Sequence, residues 1–253
     1  MKRLRIISVA VMAAFVCANL VACSKETTDV PAGKKRITKI VSEDIFNGIT
    51  DESTITFKYD SEGRLIESSE KGTSYMSEWS SEIKYKWTDT AIVYTENYEY
   101  NNLPYTYEWT CTLLPNGKVG TLNDGYSNED LTYNEDGRYD ASGLWAWEGD
   151  KLMCTYSDYM SAYTSGETCK SGYAPLHTIY GSYLLLIHPE LIGAQTNQLP
   201  ISCTHTGYFN KEAQPYSSTY EYEFDSEGYV TKIVRTDTYD SYTHTFTDII
   251  TWE

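Results

Sequence analysis

Alternation of apolar and polar residues with a period of two dominates the chain. The segment YTYEWTCTL, residues 105–113, places large apolar residues on one face and Thr or Glu on the other. The apolar face holds Tyr105, Tyr107, Trp109, Cys111 and Leu113. Side chains of a β-strand point alternately to opposite faces, so this segment is predicted to be a half-buried strand. The same pattern recurs in residues 82–87, 91–100, 218–224 and 243–252.

Short turn segments separate these predicted strands. They include NNLP at 101–104, LPNG at 114–117, NEDG at 134–137 and DTYDS at 237–241. Short connections make neighbouring strands pair antiparallel. The pattern therefore predicts an all-β fold, an antiparallel meander of roughly 10–13 strands that forms an open or partly rolled soluble barrel.

The segment LWAWEGDKLMC, residues 144–154, carries the best-defined hairpin signal. A two-residue loop at Gly149 and Asp150 has glycine in its first position, as one common hairpin turn requires. This loop predicts three cross-strand pairs: Glu148 with Lys151, Trp147 with Leu152, and Trp145 with Cys154.

The tetrapeptide DSEG occurs twice, at 60–63 and 225–228, each time between aromatic and aliphatic runs. The aspartate side chain at the first turn position can accept a hydrogen bond from the amide two residues on, and the glycine can adopt positive φ. Both copies are therefore predicted to be hairpin loops, although loops of three or four residues both give plausible pairs.

Residues 177–193, HTIYGSYLLLIHPELIG, depart from the alternating pattern. The run YLLLI before Pro189 suits either a buried strand or a short helix that plugs one end of the sheet. We favour the plug, so a short helical or irregular insert is predicted here.

The N-terminal segment predicts export and lipidation. Lys2, Arg3 and Arg5 precede an apolar run that is too short to cross a bilayer, which is typical of a signal peptide. Residues 20–23, LVAC, resemble a bacterial lipobox, which implies cleavage before Cys23 and lipid attachment to its thiol. We therefore expect a signal peptide over 1–22, a lipidated tether over 23–35 and a single β domain over 36–253, as an outer-membrane lipoprotein at the cell surface or the periplasmic face.

Charge narrows the range of partners. The chain has 20 basic and 36 acidic residues, and loss of residues 1–22 leaves 17 basic residues and a net charge of −19. Nucleic acid is an unsuitable partner for such a surface, because phosphate binding needs positive charge. The expected partners are the membrane, through the lipid, and a glycan or protein ligand, and the protein is expected to be a monomer.

Four cysteines are left after Cys17 is removed and Cys23 is lipidated. They are Cys111, Cys154, Cys169 and Cys203. An oxidising compartment favours disulfides, and four thiols allow three pairings among which the sequence does not choose.

The segments YDSEGRL and YEFDSEGYVTKI, together with the lipobox, carry a resemblance. They are similar in style to an uncharacterised family of bacterial lipoprotein domains with a porin-like fold, over residues 53–70 and 218–236. YDSEGRL also resembles, more weakly, the YD repeats of Rhs and teneurin-type surface proteins. The first resemblance implies a porin-like fold and no particular activity. The face of each predicted strand opposite its apolar face carries Thr, Glu, Lys and Ser, so these faces are not predicted to contact lipid.

No motif for nucleotide binding, acyl transfer or metalloprotease chemistry occurs in the chain, and no cofactor or catalytic residue is predicted. Cys203 and His205 share a strand face, as metal ligands sometimes do, yet a zinc site needs three or four ligands. We therefore expect Cys203 to be a disulfide cysteine beside a surface histidine.

Two aromatic rows are the candidate ligand-binding residues. One consists of Tyr105, Tyr107 and Trp109 and the other of Trp145 and Trp147. Burial in the core is the energetic default for such rings. Two functions fit the sequence: a binding module whose exposed aromatics stack on a neutral glycan, or a hydrolase of an extracellular polymer with paired carboxylates. A structural role in the envelope is a third alternative.

Overall fold

The structure is a computed structural model that describes residues 35–253, apart from residues 75–76, 124, 141–144, 150, 156–157, 164–182, 197, 206–207, 210–211, 214–215 and 241. The strands are β1 (Ile37–Phe46), β2 (Ile49–Tyr59), β3 (Leu65–Ser74), β4 (Ser77–Trp87), β5 (Ala91–Tyr100), β6 (Leu103–Leu113), β7 (Val119–Asn123), β8 (Asn128–Asp130), β9 (Trp145–Glu148), β10 (Lys151–Thr155), β11 (Asp158–Tyr163), β12 (Pro200–His205), β13 (Tyr208–Phe209), β14 (Glu212–Ala213), β15 (Tyr216–Phe224), β16 (Val230–Thr238) and β17 (Thr243–Trp252). The helices are α1 (Tyr183–Ile187) and a 3-10 helix (Pro189–Ile192). The signal peptide, Cys23 and nearly all of the tether lie outside the described residues.

Every described strand pair is antiparallel, and fifteen of the described strands form one sheet. Strands β1 to β8 follow one another in chain order, and so do β9 to β12 and β15 to β17. The second and third runs join where β12 pairs with β15. The first and third join where β1 pairs with β17, from Ile37 opposite Trp252 to Phe46 opposite His244. Strands β8 and β9 are the two edges of the described sheet, so the sheet is not closed.

The predicted fold class is confirmed: the domain is nearly all antiparallel β, open, and has one short helical insert. The described sheet has fifteen strands, which exceeds the expected 10–13, because short strands such as β7, β8 and β9 lie toward its edges. The insert is helical at Tyr183–Ile187, so the interpretation of this segment as a plug, and not as a buried strand, was right about its structure.

One face of the rolled sheet encloses the core, and α1 with the 3-10 helix packs inside that face. Leu184 and Ile192 are completely buried in the same apolar cluster as Ile40 of β1 and Ile92 of β5. The helices contact strands at one end of the roll: the Leu65 amide donates to His188 Nε2 (3.2 Å), and the ring of Trp87 meets His188 edge-on. We call this end of the roll the plugged end. The opposite end, where β5 turns into β6, is called the far end.

The inner face changes from apolar to polar along the strands. On β2, Phe57 and Ile55 are buried near the plugged end, and Ser53 and Asp51 follow them toward the far end. The neighbouring strand β1 repeats this gradient, since buried Ile40 is followed by Ser42 and Asp44 on the same face. The interior therefore has an apolar half that α1 fills and a polar half beyond it.

The DSEG segments are hairpin loops, as predicted. Asp60 Oδ1 accepts from the Glu62 amide (2.9 Å) and the Arg64 amide (3.0 Å), and Gly63 has φ of 84°. Asp225 makes the equivalent bonds to the amides of Glu227 and Tyr229. The register that the sequence left open is Tyr59 opposite Leu65, with a bulge beside it.

For the hairpin at Gly149, two of the three predicted cross-strand pairs are confirmed. Glu148 lies opposite Lys151 and Trp147 opposite Leu152. Cys154, however, lies opposite Ala146, because a bulge between Leu152 and Cys154 shifts the register.

The outer face of the sheet is polar. Cross-strand ion pairs lie on it, including Lys58 with Glu67 (2.6 Å) and Lys232 with Glu223 (2.9 Å). In the part of the chain that is described, neither helix combines the length and the apolar character that crossing a membrane requires.

Candidate functional site

Four tyrosines lie on the inner face of β5 and β6 near the far end. Tyr98 and Tyr100 belong to β5, and Tyr105 and Tyr107 belong to β6. The register places Tyr98 directly opposite Tyr105, and their ring centroids are 6.3 Å apart. The rings of Tyr98 and Tyr100 are nearly parallel, with an interplanar angle of 15°. We call these four residues the aromatic row.

The aromatic row is accessible to solvent over much of its length. Tyr105 is 43% exposed, Tyr107 39% and Tyr100 41%. Residues at the same inward positions nearer the plugged end, such as Tyr94 and Ile92, are buried. Exposure therefore begins where the filling by α1 and its neighbours stops.

Trp109 belongs to the core side of this boundary. Its ring stacks on Tyr94 at 5.9 Å with an interplanar angle of 5°, and it packs against the core. The first predicted aromatic row is therefore divided: Tyr105 and Tyr107 are exposed, and Trp109 is half-buried.

The second predicted row lies on β9, at the other edge of the described sheet. Trp147 is half-buried against the core, and its Nε1–H donates to the Tyr139 carbonyl oxygen (2.9 Å). The Arg138 guanidinium stacks over the same ring at 4.6 Å. These contacts give Trp147 a packing role, and the side chain of Trp145 lies outside the described part of the chain.

Two glutamates lie on the inner face beside the aromatic row. Glu96 is directly opposite Tyr107, and its Oε1 accepts from Ser81 Oγ (2.8 Å). Glu70, on β3, accepts from the Tyr183 hydroxyl of α1 (2.7 Å). Burial raises the pKa of Glu96, and the negative charge of Glu70 raises it further, against the opposing effect of the Ser81 hydrogen bond.

A cavity of about 320 Å³ lies within the polar half of the roll. Its walls come from both sides of the β1/β17 seam, and they include Trp79 of β4 and Tyr220 of β15. Five strands separate β4 from β15 in the sheet order, so the sheet curls enough to bring these two side chains to one space. A second, more open groove of about 910 Å³ lies over β2 to β5 toward the far end.

Cys203 and His205 are both buried, which corrects the expectation of a disulfide cysteine beside a surface histidine. Cys203 is a free thiol, as is Cys111, and its Sγ lies 3.0 Å from His205 Nε2. The same nitrogen lies 2.7 Å from Ser218 Oγ, which donates to Asp237. Arg235 pairs with Asp237 through two hydrogen bonds, at 2.8 and 2.5 Å. Within the described ranges, no group of three or more His, Cys, Asp or Glu side chains is placed to hold a metal ion.

Comparison with solved structures defines the fold further. A porin-like protein from Bacteroides uniformis superposes with a TM-score of 0.58 at 17% identity, and the match covers 86% of this chain and 98% of that one. The chain has a porin-like fold. A porin-like protein from Bacteroides vulgatus covers 87% of this chain and 99% of that one, at 12% identity and a TM-score of 0.31. No family model and no curated protein matches the sequence. At this identity the porin-like fold is what the comparison establishes, and the site is argued from its own residues.

Sequence reasoning missed several residues of this region, namely Trp79, Tyr98, Tyr100, Glu70 and Glu96. Strand β5 carried a usable signal, because Ile92, Tyr94, Glu96, Tyr98 and Tyr100 alternate on one face of the predicted strand 91–100. The missing information was the pairing of β5 with β6, which doubles the aromatic surface.

Proposed function

We propose that this protein is an outer-membrane-anchored lipoprotein that binds a neutral glycan on the aromatic row. The observation that supports this most directly is the exposure of Tyr100, Tyr105 and Tyr107 on the inner face of the sheet, where burial would be the default. Anchoring rests on the lipobox at Cys23. The proposal includes a monomeric state and no nucleic-acid partner.

Sugar recognition fits the chemistry of the row. The C–H faces of a pyranose ring are apolar and stack on exposed aromatic rings, while its hydroxyl groups need hydrogen-bonding partners nearby. Glu96, opposite Tyr107, and Ser81, which donates to it, supply such groups on the inner face. The mature net charge of −19 disfavours anionic polymers, so a neutral glycan is the better ligand.

A glycan-array screen of the purified protein tests the proposal, followed by titration of the hits against Tyr105→Ala and Tyr107→Ala. Each variant should lose most binding while its melting temperature stays close to that of the wild type, because both rings are exposed. Tyr126→Ala is the matched control, since Tyr126 is 92% exposed and lies outside the row. Binding that survives both substitutions, or a screen without hits, would refute a glycan site on the row.

A hydrolase is the second candidate, and the raised pKa of Glu96 favours it. A carboxyl group that stays protonated to higher pH can act as a general acid, and glycoside hydrolysis uses a pair of carboxyl groups. Glu70 is the nearby partner, since its charge acts on Glu96. The test is the release of reducing ends from any glycan that binds. A hydrolase would show release that Glu96→Gln abolishes without loss of binding, whereas a binding module would release nothing.

A further inference from the structure

The cavity within the polar half of the roll combines acidic and aromatic side chains. Asp44, Asp51 and Asp248 line it from β1, β2 and β17. All three occupy inward positions, because the register places them in line with buried Ile40, Ile55 and Ile250 on their own strands. A volume of about 320 Å³ is within the range of sites for small ligands.

Among the described residues that line this cavity, carboxylates outnumber cations. Arg235 also lines the space, yet its guanidinium is held by the buried Asp237 carboxylate through two hydrogen bonds. Asp248 is 6% exposed and accepts from Ser42 Oγ (2.6 Å), and Asp44 bonds to His244. Three aspartates face the space in addition to the Arg235–Asp237 pair, so a positively charged guest would gain from entering it.

Aromatic faces complete the lining. Trp79, Tyr220 and Phe246 border the cavity. The Arg235 guanidinium at 4.3 Å and the His244 ring at 4.1 Å already pack against Phe246, so Trp79 and Tyr220 are the rings left for a guest. Trp79 reaches its position because the residue opposite it, Gly72, has no side chain; an added Cβ there would overlap the indole. Aromatic faces attract cations through their quadrupole, and rings combined with carboxylates are the surroundings that quaternary ammonium groups prefer.

We propose that this cavity binds a small organic cation of the quaternary ammonium type. The cavity borders the aromatic row, since Trp79 lies directly opposite Tyr100, but it shares no lining residue with the row. The inference does not rest on glycan binding. Charge and apolar volume together specify the ligand. The carboxylates select the charge, and the rings of Trp79 and Tyr220 accommodate the alkyl groups that a metal ion or ammonium ion lacks.

Calorimetric titration of the purified full-length protein with choline, and with its uncharged isostere 3,3-dimethylbutan-1-ol, tests the proposal. The two probes have the same shape, so their difference reports the charge. Choline should bind about tenfold more tightly than the alcohol, and its affinity should fall as salt is added. Equal binding of the two probes, or no binding of choline at millimolar concentration, would overturn the proposal.

Variants then assign the binding to this cavity. Asp51→Asn and Trp79→Ala should each weaken choline binding several-fold, whereas Asp136→Asn, an exposed aspartate in the NEDG loop, should leave it unchanged. Gly72→Ala provides an independent check that removes no charge, because it must displace the Trp79 ring. It should weaken choline binding and shift tryptophan fluorescence. If all three cavity variants bind choline as the wild type does, the cation binds elsewhere and the assignment is wrong.

Discussion

At the scale of single residues, one turn design accounts for several hairpins. In the loops that begin at Asp60, Asn134 and Asp225, the side-chain oxygen of the first residue accepts from the amide four residues on, at 2.9 to 3.0 Å. The glycine at the fourth position has positive φ in each loop, from 71° to 89°. The turn needs a short side chain with an oxygen acceptor and a residue without Cβ, and the sequence displays both requirements.

Replacement of Gly228 tests the second requirement. Gly228→Ala forces a Cβ into a backbone with φ of 89°, so we expect the free energy of unfolding to fall by about 1 kcal/mol. Gly228→Asn should cost less, since asparagine tolerates this conformation, as Asn101 and Asn102 do here. Chemical denaturation of both variants measures the difference. Equal stability of wild type and Gly228→Ala would contradict the turn assignment.

Asp225 makes the loop sensitive to acid. Hydrogen bonds from the Tyr229 amide and from Lys35 lower its pKa from 3.8 to about 2. A lowered folded-state pKa means that ionised Asp225 stabilises the fold above pH 3.8, and that this contribution is lost as the pH falls toward about 2. Asp225→Asn should therefore be less stable than wild type at neutral pH, and the difference in melting temperature should disappear near pH 2. A difference that stays constant over this range would rule out the carboxylate as its source.

At the scale of elements, the helical plug decides which part of the sheet has a packed interior. Leu184 of α1 is completely buried at the plugged end, whereas Leu103, at the start of β6 near the far end, is 57% exposed. Both leucines lie on the inner side of the same sheet, but only Leu184 lies in the cluster where the helix packs against the strands.

The pair Leu184→Ala and Leu103→Ala tests this division. Leu184→Ala should lower the free energy of unfolding by about 3 kcal/mol, because it removes buried methyl groups and leaves a cavity. Leu103→Ala should change it by less than about 0.5 kcal/mol, as surface substitutions usually do. Urea denaturation of the two variants gives the comparison. Similar losses in both would show that the plug does not set the limit of the core.

The sequence predicted which side chains share a face of a strand, but it did not predict how deeply each of them is buried. Period-two alternation correctly placed Tyr105, Tyr107 and Trp109 on one face. It could not show that the first two are exposed and the third is half-buried, because that difference depends on how far the core extends along the strands. The same limit affected the Gly149 hairpin: loop chemistry gave the first two pairs, but a bulge is a local change in backbone that the apolar pattern does not record.

At the scale of the whole molecule, the chain combines an acidic surface, a polar outer sheet face and a porin-like fold. Acidic residues exceed basic ones by 16 over the full sequence, and cross-strand ion pairs lie on the outer face. Under our proposal, membrane attachment depends on the lipid at Cys23.

Replacement of Cys23 tests this dependence. Cys23→Ala removes the thiol that would carry the lipid, so the protein should move from the membrane fraction to the soluble fraction and should no longer incorporate labelled fatty acid. Cys17→Ala, which changes a cysteine within the predicted signal peptide, should leave both properties unchanged. Membrane association and acylation that persist in Cys23→Ala would show that the lipobox interpretation is wrong.

The pairing of β1 with β17 has a consequence for the order of folding. Most other pairs in the sheet join strands that are neighbours in the chain, and these hairpins can form locally and quickly. The β1/β17 pair instead joins residues such as Ser42 and Asp248, which are 206 positions apart. Its formation requires closure of a loop of that length, which has an entropic cost. This cost is smaller after the other strands have paired, because pairing shortens the effective loop. We therefore expect the two terminal strands to pair last. Until they pair, the chain holds two partial sheets, and β1 and β17 are an unpaired edge of each.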